Sequence, residues 1–234
     1  MFAAADTAFE NIYLRSLGAG LRSVAITSSS QGEGVSSLAV ALAQRHLLAG
    51  KSALFVDLCG SESTQLNVLP VQTKGMPVLA TEPQLLTSAE DSFALLGIPA
   101  PTNNKANLQW RNPGTLENYI GAWLDQFDAV IIDAGNFNHE SPVLVPAERI
   151  VGACESTLLV VMAGSTTEPT VRHTCERILS AGGKLAGCVL NQRYNPSLKQ
   201  ELLRESARLP RVLQTVQKII VRWINTNRLL SLEI

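Results

Sequence analysis

The sequence lacks a charge excess of either sign: its 234 residues carry 19 Lys and Arg against 20 Asp and Glu, a net charge of −1. Electrostatic binding of nucleic acid requires a basic surface, so we expect no nucleic-acid partner. Long hydrophobic runs are also missing. The most apolar long window, residues 150–164, contains Glu155 and is shorter than the roughly 20 residues that a membrane-spanning helix needs.

Cysteine and histidine patterns typical of metal sites or disulfides are absent too. The four cysteines are scattered, without a Cys-x-x-Cys pair: Cys59, Cys154, Cys175 and Cys188. They are predicted to be reduced, buried thiols that neither form disulfides nor bind metal. The N-terminus has no basic start followed by an apolar core, since Asp6 and Glu10 come early, and this excludes a signal peptide. We therefore expect a cytoplasmic protein.

What the chain does contain is an alternation of short apolar runs and helical patterns. Strands are predicted at 24–27, 53–57, 128–133, 156–162 and 185–190. Helices are predicted at 5–21, 35–49, 85–96, 115–126, 168–181 and 196–209. This alternation is typical of an α/β fold with a doubly wound, mostly parallel sheet and helices on both faces. No linker is long enough to separate two domains, so residues 1–234 are predicted to form one.

One stretch, Ser23–Leu42, combines a short apolar strand, a turn with two glycines, and an Ala- and Leu-rich helix. This is the layout of a phosphate-binding loop, in which backbone N–H groups and a helix N-terminus face an anion. The position expected to hold a phosphate-binding lysine is Val35 instead. The sequence therefore predicts the backbone of a nucleotide-binding loop that lacks the positive charge of its lysine.

Polar residues follow several of the predicted strands. In a doubly wound sheet, ligands bind at the carboxyl ends of the strands. Residues 28–36, Asp57, Asp133 and Asn191 should gather there. A second interpretation of the two aspartates remains open, namely that they only cap the turns that follow their strands.

The loop Ser29-Ser-Gln-Gly-Glu-Gly-Val-Ser36 resembles that of the bacterial tyrosine kinases of capsule and exopolysaccharide synthesis (BY-kinases). These kinases belong to the deviant-Walker P-loop ATPases, together with the MinD and ParA groups. The resemblance continues in order along the chain at residues 50–57, 126–133, 159–167 and 187–191. It implies a three-layer fold like that of P-loop NTPases.

The resemblance also implies roles for the matched residues. The nucleotide-binding residues would be Gly32, Glu33, Gly34, Ser36, Ser37 and Asn191. Mg²⁺ would be held by Ser36, Asp57 and Asp133, and the two aspartates would be the catalytic residues of an active enzyme. The implied cofactor is ATP or ADP with Mg²⁺, and a loop that is empty or holds only an anion is the alternative.

Four departures from the family pattern concern functional positions. Val35 replaces the loop lysine, whose loss typically costs on the order of 10²–10³ in rate. Residues 58–61, Leu-Cys-Gly-Ser, lack the second carboxylate that the family has after Asp57, and residues 134–136, Ala-Gly-Asn, replace Thr-Pro-Pro. The tyrosine-rich tail is missing, since the last tyrosine is Tyr194. The apolar strands and helices remain intact, which indicates a fold kept for binding after catalysis was lost.

The hypothesis is thus a catalytically degenerate BY-kinase-like protein in exopolysaccharide or capsule biosynthesis and export. The resemblance implies a membrane-embedded polysaccharide co-polymerase or export protein as partner, and a homodimer is a further option. The alternative hypothesis is a positioning protein of the MinD/ParA or pilus-localisation type. A third hypothesis is an ATPase whose missing lysine is supplied by a partner chain.

The C-terminal segment, residues 210–234, is amphipathic and basic. Its apolar residues recur at helical spacing: Leu213, Val216, Ile219, Ile220, Trp223 and Ile224. Arg211, Lys218 and Arg222 lie opposite. Residues 210–228 could contact a partner or an anionic membrane surface, which would place the protein at the inner face of the cell membrane. A terminal helix packed on the core fits the same pattern.

Overall fold

The computed structural model describes residues 7–59, 66–68, 83–88, 94–99, 108, 110–138, 145–193, 202, 206 and 221–224. Contacts divide the chain into two compact units, residues 1–191 and 192–234. The sheet and the helices described below belong to the first unit. The expectation of one domain over residues 1–234 stays a prediction.

Within the described residues, eight strands form one sheet. They are β1 (Ser23–Ser28), β2 (Ala53–Asp57), β3 (Leu66–Val68), β4 (Gln84–Ser88), β5 (Ala94–Ile98), β6 (Ala129–Asn136), β7 (Ser156–Met162) and β8 (Leu185–Asn191). Their order across the sheet is β3-β4-β5-β2-β6-β1-β7-β8. The pairs from β5 to β8 in this order are parallel, whereas β4 runs antiparallel to β3 and β5. The prediction of a mostly parallel sheet is confirmed.

The helices of the first unit cover both faces of this sheet. They are α1 (Thr7–Arg15), α2 (Val35–Leu48), α3 (Thr115–Leu124), α4 (Ala147–Ala153) and α5 (Glu168–Ser180), with a 3-10 turn at Leu17–Ala19. One apolar cluster contains Leu38 of α2 and Ile26 of β1, and the other contains Trp123 of α3 and Ala25 of β1. Since neighbouring residues of β1 belong to opposite clusters, the sheet is the middle of three layers.

The burial of the central strands explains why they read as continuous apolar runs. Every residue of β1, β2 and β7 is buried. A strand covered on both faces has no solvent side and needs no alternation of polar residues. The predicted bounds of β2 and β7 are confirmed without change.

The helix predicted at residues 85–96 is wrong. Its two ends lie in β4 and β5, which pair antiparallel with Leu85 opposite Leu96. A short run with paired leucines fits a helix or a strand equally well, and pairing with neighbouring strands on both sides decides for the strand. Helix α4 was missed because its apolar residues continue into those of β7, and because its N-cap is Pro146 and not one of the Ser, Thr, Asp or Asn residues that mark a helix start.

The predicted helices near the C-terminus lie mostly outside the described residues. Of the helix predicted at 196–209, only Leu202 and Ser206 are described, and both are helical. Of residues 210–234, the structure describes Val221–Ile224, also helical. Ile224 is buried, whereas Trp223, assigned to the same apolar face, is 58% exposed.

Among the parts of the chain that the structure describes, no helix combines the length and the hydropathy that crossing a membrane requires.

Candidate functional site

The glycine-rich loop between β1 and α2 has the curled backbone that the sequence predicts. Gly32 and Gly34 adopt positive φ angles of 82° and 102°, a conformation that is strained for residues with a Cβ atom. A Cβ on Gly32 would meet nothing within 4 Å. Gly32 is therefore needed for its backbone conformation and not for space.

Glu33 points back into the protein and holds the loop in place. Its side chain is buried, and its Oε2 accepts a hydrogen bond from the backbone N–H of Ser29 at 3.1 Å. The hydroxyl of Thr166, in the turn after β7, donates to its Oε1. The Asn191 side chain, at the end of β8, donates to the Glu33 carbonyl at 2.9 Å. The loop is thus bonded to the ends of two strands.

A second anchor joins the loop to α5. The hydroxyls of Ser29 and Thr174, both buried, lie 2.9 Å apart. Thr174 donates in turn to the carbonyl of Thr170 at 2.9 Å, so Ser29 donates to Thr174. Sequence reasoning missed these partners of the loop, since Thr166 and Thr174 lie far along the chain and belong to no motif.

Val35 is the first residue of α2, and its side chain packs into the apolar core. It is 7% exposed and belongs to the same cluster as Ile26 and Leu38. Gly34, the N-cap, has no capping side chain, and no acidic residue lies in the first helical turn. The partial positive charge of the helix N-terminus is therefore not offset by that turn, where Ser36 is half-buried and Ser37 is exposed.

The two predicted aspartates lie side by side. Asp57 ends β2 and pairs in register with Asp133 on the neighbouring strand β6, so both side chains project from the same face of the sheet. Asp133 is fully buried and Asp57 is 7% exposed. The prediction that strand-end carboxylates gather near the loop is confirmed for this pair.

Each aspartate also accepts a hydrogen bond from the backbone two residues further along the chain. Asp57 Oδ1 accepts hydrogen bonds from the backbone N–H of Cys59 at 3.0 Å and from its thiol at 3.2 Å. Asp133 Oδ1 accepts one from the N–H of Gly135 at 2.9 Å. These are the local bonds that Asp makes two residues ahead. The turn-capping interpretation therefore fits Asp57, which ends β2, whereas the Asp133 bond lies within β6 and uses only one oxygen of that carboxylate.

The other oxygen of Asp133, Oδ2, has no hydrogen-bond partner among the described residues. Burial, together with the nearby charge of Asp57, raises the pKa of Asp133 to about 6, against the lowering effects of the nearby Ser36, Gly135 and Cys59 donors. An unpaired carboxylate oxygen in the interior is costly. The pair would accommodate a cation, which offsets both charges.

The segment that replaces Thr-Pro-Pro continues the strand. Asn136 pairs with Ser28, Thr27 donates to the Gly135 carbonyl at 2.9 Å, and Phe137 N–H donates to the Ser28 carbonyl at 3.0 Å. A proline at position 135 could not take the place of Gly135, because proline has no N–H to donate to Asp133 as Gly135 does and its φ is fixed at about −65°, whereas Gly135 has a φ of 66°. The substitution thus extends β6 beside the loop.

A surface depression of about 370 Å³ lies apart from these residues. It is lined by Arg111, Pro146, Glu148, Arg149 and Ala181, at the start of α4. Arg149 is bonded to Glu117, and Glu148 to Arg177. Because its charges are paired and no loop residue lines it, we place the candidate site at the loop.

Comparisons with known proteins agree with this placement. No protein-family model matches the chain. The tyrosine-protein kinase CpsD of Streptococcus pneumoniae is 24% identical over 183 residues, which are 75% of this chain and 78% of that protein. The kinase domain of Escherichia coli tyrosine kinase ETK is 18% identical, with a TM-score of 0.57 over 82% of this chain and 79% of that chain.

A second kind of solved structure has the same fold. Cobyrinic acid a,c-diamide synthase from Mycobacterium smegmatis, with ADP and magnesium bound, is 18% identical, with a TM-score of 0.57 over 81% of this chain and 82% of that chain. The resemblance to the cytoplasmic domain of BY-kinases is confirmed, and so is the P-loop NTPase-like fold. At these identities the solved structures establish the fold alone.

Proposed function

We propose that this chain is a catalytically degenerate BY-kinase-like protein that acts as a cytoplasmic partner in exopolysaccharide or capsule biosynthesis and export. The observation that carries the proposal is Val35, an apolar residue packed into the core where the resembled kinases have a phosphate-binding lysine. A lysine at this place neutralises charge that develops on the transferred phosphoryl group. Its removal lowers the rate by on the order of 10²–10³.

The loop backbone and the N-terminus of α2 support nucleotide binding without turnover. The loop backbone keeps both positive-φ glycines, and α2 presents an N-terminus with no acidic residue in its first turn. Both features favour an anion. Catalysis needs charged groups in addition, and Cys59 stands where the family has its second carboxylate. The site thus retains what holds a phosphate and lacks what reacts with it.

ATP or ADP with Mg²⁺ is the proposed ligand. The loop N–H groups and Ser37 would contact the phosphates, and Ser36, Asp57 and Asp133 would hold the metal. The unpaired, buried Oδ2 of Asp133 fits a cation. Asn191 would contact adenine, although its amide already donates to the Glu33 carbonyl. Mg²⁺, when bound, would offset negative charge on the phosphates, which the uncharged side chain of Val35 does not do.

The proposed partner is a membrane-embedded polysaccharide co-polymerase or export protein, as the resemblance to CpsD and to other BY-kinases implies. Binding would place the protein at the inner face of the cell membrane, and residues 210–228 are available as a further contact. A homodimer is compatible with this role. A positioning protein of the MinD/ParA type remains the alternative, with the same basic segment as its main support.

ATP turnover by the purified protein tests the proposal. We expect phosphate release and tyrosine phosphorylation no higher than those of the Asp57→Ala variant, while calorimetric titration with ATP or ADP and Mg²⁺ reports binding separately. A turnover that Asp57→Ala abolishes would show that the enzyme is active and the proposal wrong.

The partner is tested with the cytoplasmic fragment of a co-polymerase encoded beside this chain. We expect the fragment to bind without raising ATP hydrolysis. Activity that appears only with the fragment present would contradict degeneracy, because it would mean that the missing charge comes from the partner chain.

A further inference from the structure

A thiol stands next to the two carboxylates. The Sγ atom of Cys59 lies 3.2 Å from Asp57 Oδ1. The sulfur and one carboxylate oxygen each of Asp57 and Asp133 lie within 4.8 Å of one another. Cys59 is half-buried, so solvent and ions can reach it.

The fold itself brings the three donors together. Asp57 and Asp133 are register partners on adjacent parallel strands, and the Leu58 N–H donates to the Asp133 carbonyl at 3.0 Å. The Cys59 N–H bonds back to Asp57 at 3.0 Å, which turns the chain so that the thiol returns to the strand end. The arrangement therefore depends on backbone bonds as well as on side-chain rotamers.

The spacing suits a single metal ion. Zn–S and Zn–O bonds of about 2.3 and 2.0 Å at a tetrahedral angle put sulfur and oxygen roughly 3.5 Å apart. The observed separation of 3.2 Å between Sγ and Oδ1 is close to this value. Only small side-chain movements separate the present geometry from coordination.

Asp133 supplies an independent indication of a ligand. It is fully buried, and its Oδ2 has no hydrogen-bond partner among the described residues. Buried polar atoms are nearly always paired, and an exception calls for an unseen ligand or water. A cation between the carboxylates would satisfy Oδ2 and relieve their mutual repulsion.

We infer that Asp57, Cys59 and Asp133 form a binding site for a thiophilic divalent metal ion of the Zn²⁺ and Co²⁺ type, in preference to Mg²⁺. Thiolate is a soft ligand that selects such ions, whereas Mg²⁺ requires oxygen ligands in octahedral geometry. On binding, Cys59 releases its proton to solvent, a sulfur–metal bond forms, and no electrons are transferred. Three protein ligands leave the fourth position for water or a phosphate oxygen.

This inference revises the sequence-based expectation that no cysteine binds metal, since that expectation considered only Cys and His spacing. The inferred metal site depends on the proposed function in one respect only, which is that it shares Asp57 and Asp133 with the proposed nucleotide site. Metal binding is measured without nucleotide, so its failure and a failure of the proposed function can be told apart.

Cobalt titration of the full-length, metal-free, reduced protein tests the site. We expect one Co²⁺ per chain and a near-ultraviolet thiolate-to-cobalt charge-transfer absorption. Equimolar Zn²⁺ should remove this absorption, and a large excess of Mg²⁺ should not. No charge-transfer absorption, or displacement by Mg²⁺ as effective as by Zn²⁺, would overturn the inference.

Variants assign the ligands. Cys59→Ser should abolish the absorption, and Asp133→Asn should weaken Co²⁺ binding at least tenfold while the circular dichroism of both variants stays that of the parent. Cys188→Ser is the matched control, because Cys188 is an exposed thiol on β8, and it should keep the full absorption. An unchanged absorption in Cys59→Ser, its loss in Cys188→Ser, or unchanged affinity in Asp133→Asn would contradict the assignment.

Discussion

Val35 is both a core residue and the residue next to the proposed phosphates. A lysine there can extend its charged end toward the loop while its methylene groups stay in the apolar environment. Charge-assisted hydrogen bonds contribute on the order of 1.5–3 kcal/mol, so Val35→Lys should tighten ATP binding by roughly tenfold or more. Turnover should gain less, because Cys59 and the altered segment after Asp133 remain.

The measurement for Val35→Lys is calorimetric affinity beside phosphate release. Val35→Met, which is long and uncharged, is the control and should leave ATP affinity unchanged. Equal gains in affinity and in turnover would mean that the lysine alone separates this chain from an active enzyme.

His46 makes the stability of the fold depend on pH. It is 2% exposed, its Nδ1 lies 3.3 Å from the Tyr13 hydroxyl, and Nε2 has no partner among the described residues. Burial lowers its pKa, with smaller contributions from the charges of Lys51 and Arg45, against Asp128. The unfolded chain therefore binds the proton more readily than the folded one.

It follows that this contribution to stability is complete above the unfolded pKa of about 6.5 and is lost as pH falls through the lowered folded pKa. The loss in melting temperature between about pH 7.5 and 5.5 should be smaller in His46→Gln than in the parent. His173→Gln, at an exposed histidine, is the control. An equal loss in His46→Gln and parent would remove His46 as the cause.

At the scale of elements, Glu33 decides how firmly the loop is held. Glu33→Ala removes the acceptor of the buried Ser29 N–H and that of the Thr166 hydroxyl, although the Thr166 oxygen still accepts from the Met162 N–H. Each buried group left unpaired costs about 1–3 kcal/mol. We expect a lower unfolding free energy and faster amide hydrogen exchange across residues 28–36.

Glu33→Gln is the matched variant, since it keeps one oxygen acceptor and nearly the same shape. It should fall between the parent and Glu33→Ala in both measurements. If loop exchange is the same in all three proteins, the buried carboxylate does not hold the loop.

The sequence predicts best those strands whose hydrophobic pattern follows directly from how deeply they are buried. The runs at β2 and β7 are mostly apolar because helices cover both faces of the sheet, and the meeting of Asp57 and Asp133 follows from the same parallel arrangement. The prediction of a helix at residues 85–96 is wrong, because the leucine pairs in this run show neither the helical nor the strand period clearly. The structure of β4 is determined by its pairing with β3 and β5. Such pairing depends on residues elsewhere in the chain and cannot be predicted from the local sequence.

The site was predictable in part for the same reason. Asp57 and Asp133 each follow a recognisable apolar run on neighbouring parallel strands, so their meeting follows from a parallel sheet. Thr166 and Thr174 reach the loop from another part of the fold, and no local signal marks them. Cys59 was overlooked because its metal-binding partners are carboxylates of other strands and not cysteines or histidines nearby in sequence.

For the whole molecule, the basic residues of segment 210–228 are the basis of the proposed membrane contact. If residues 210–228 contact an anionic surface, the full chain should sediment with vesicles rich in anionic lipid. A chain ending at residue 209 should then remain in solution. Vesicles of neutral lipid are the control, because electrostatic attraction by basic side chains needs anionic headgroups.

Raised salt should release the full chain from anionic vesicles, since screening weakens attraction between exposed charges. Vesicle binding that survives the truncation would remove the support that this segment gives to a positioning role, and would leave the partner-binding role as the better account.

The bonds that join the loop to β7, β8 and α5 have a consequence for the time course of ligand capture. The loop backbone is already held by the bonds of Glu33, Ser29 and Asn191. It therefore needs no slow rearrangement after it first meets a nucleotide. Association of ADP, if it binds, should be a single exponential whose rate rises linearly with concentration and does not level off. Loosening the loop through Glu33→Ala should introduce a plateau, because an ordering step then limits capture.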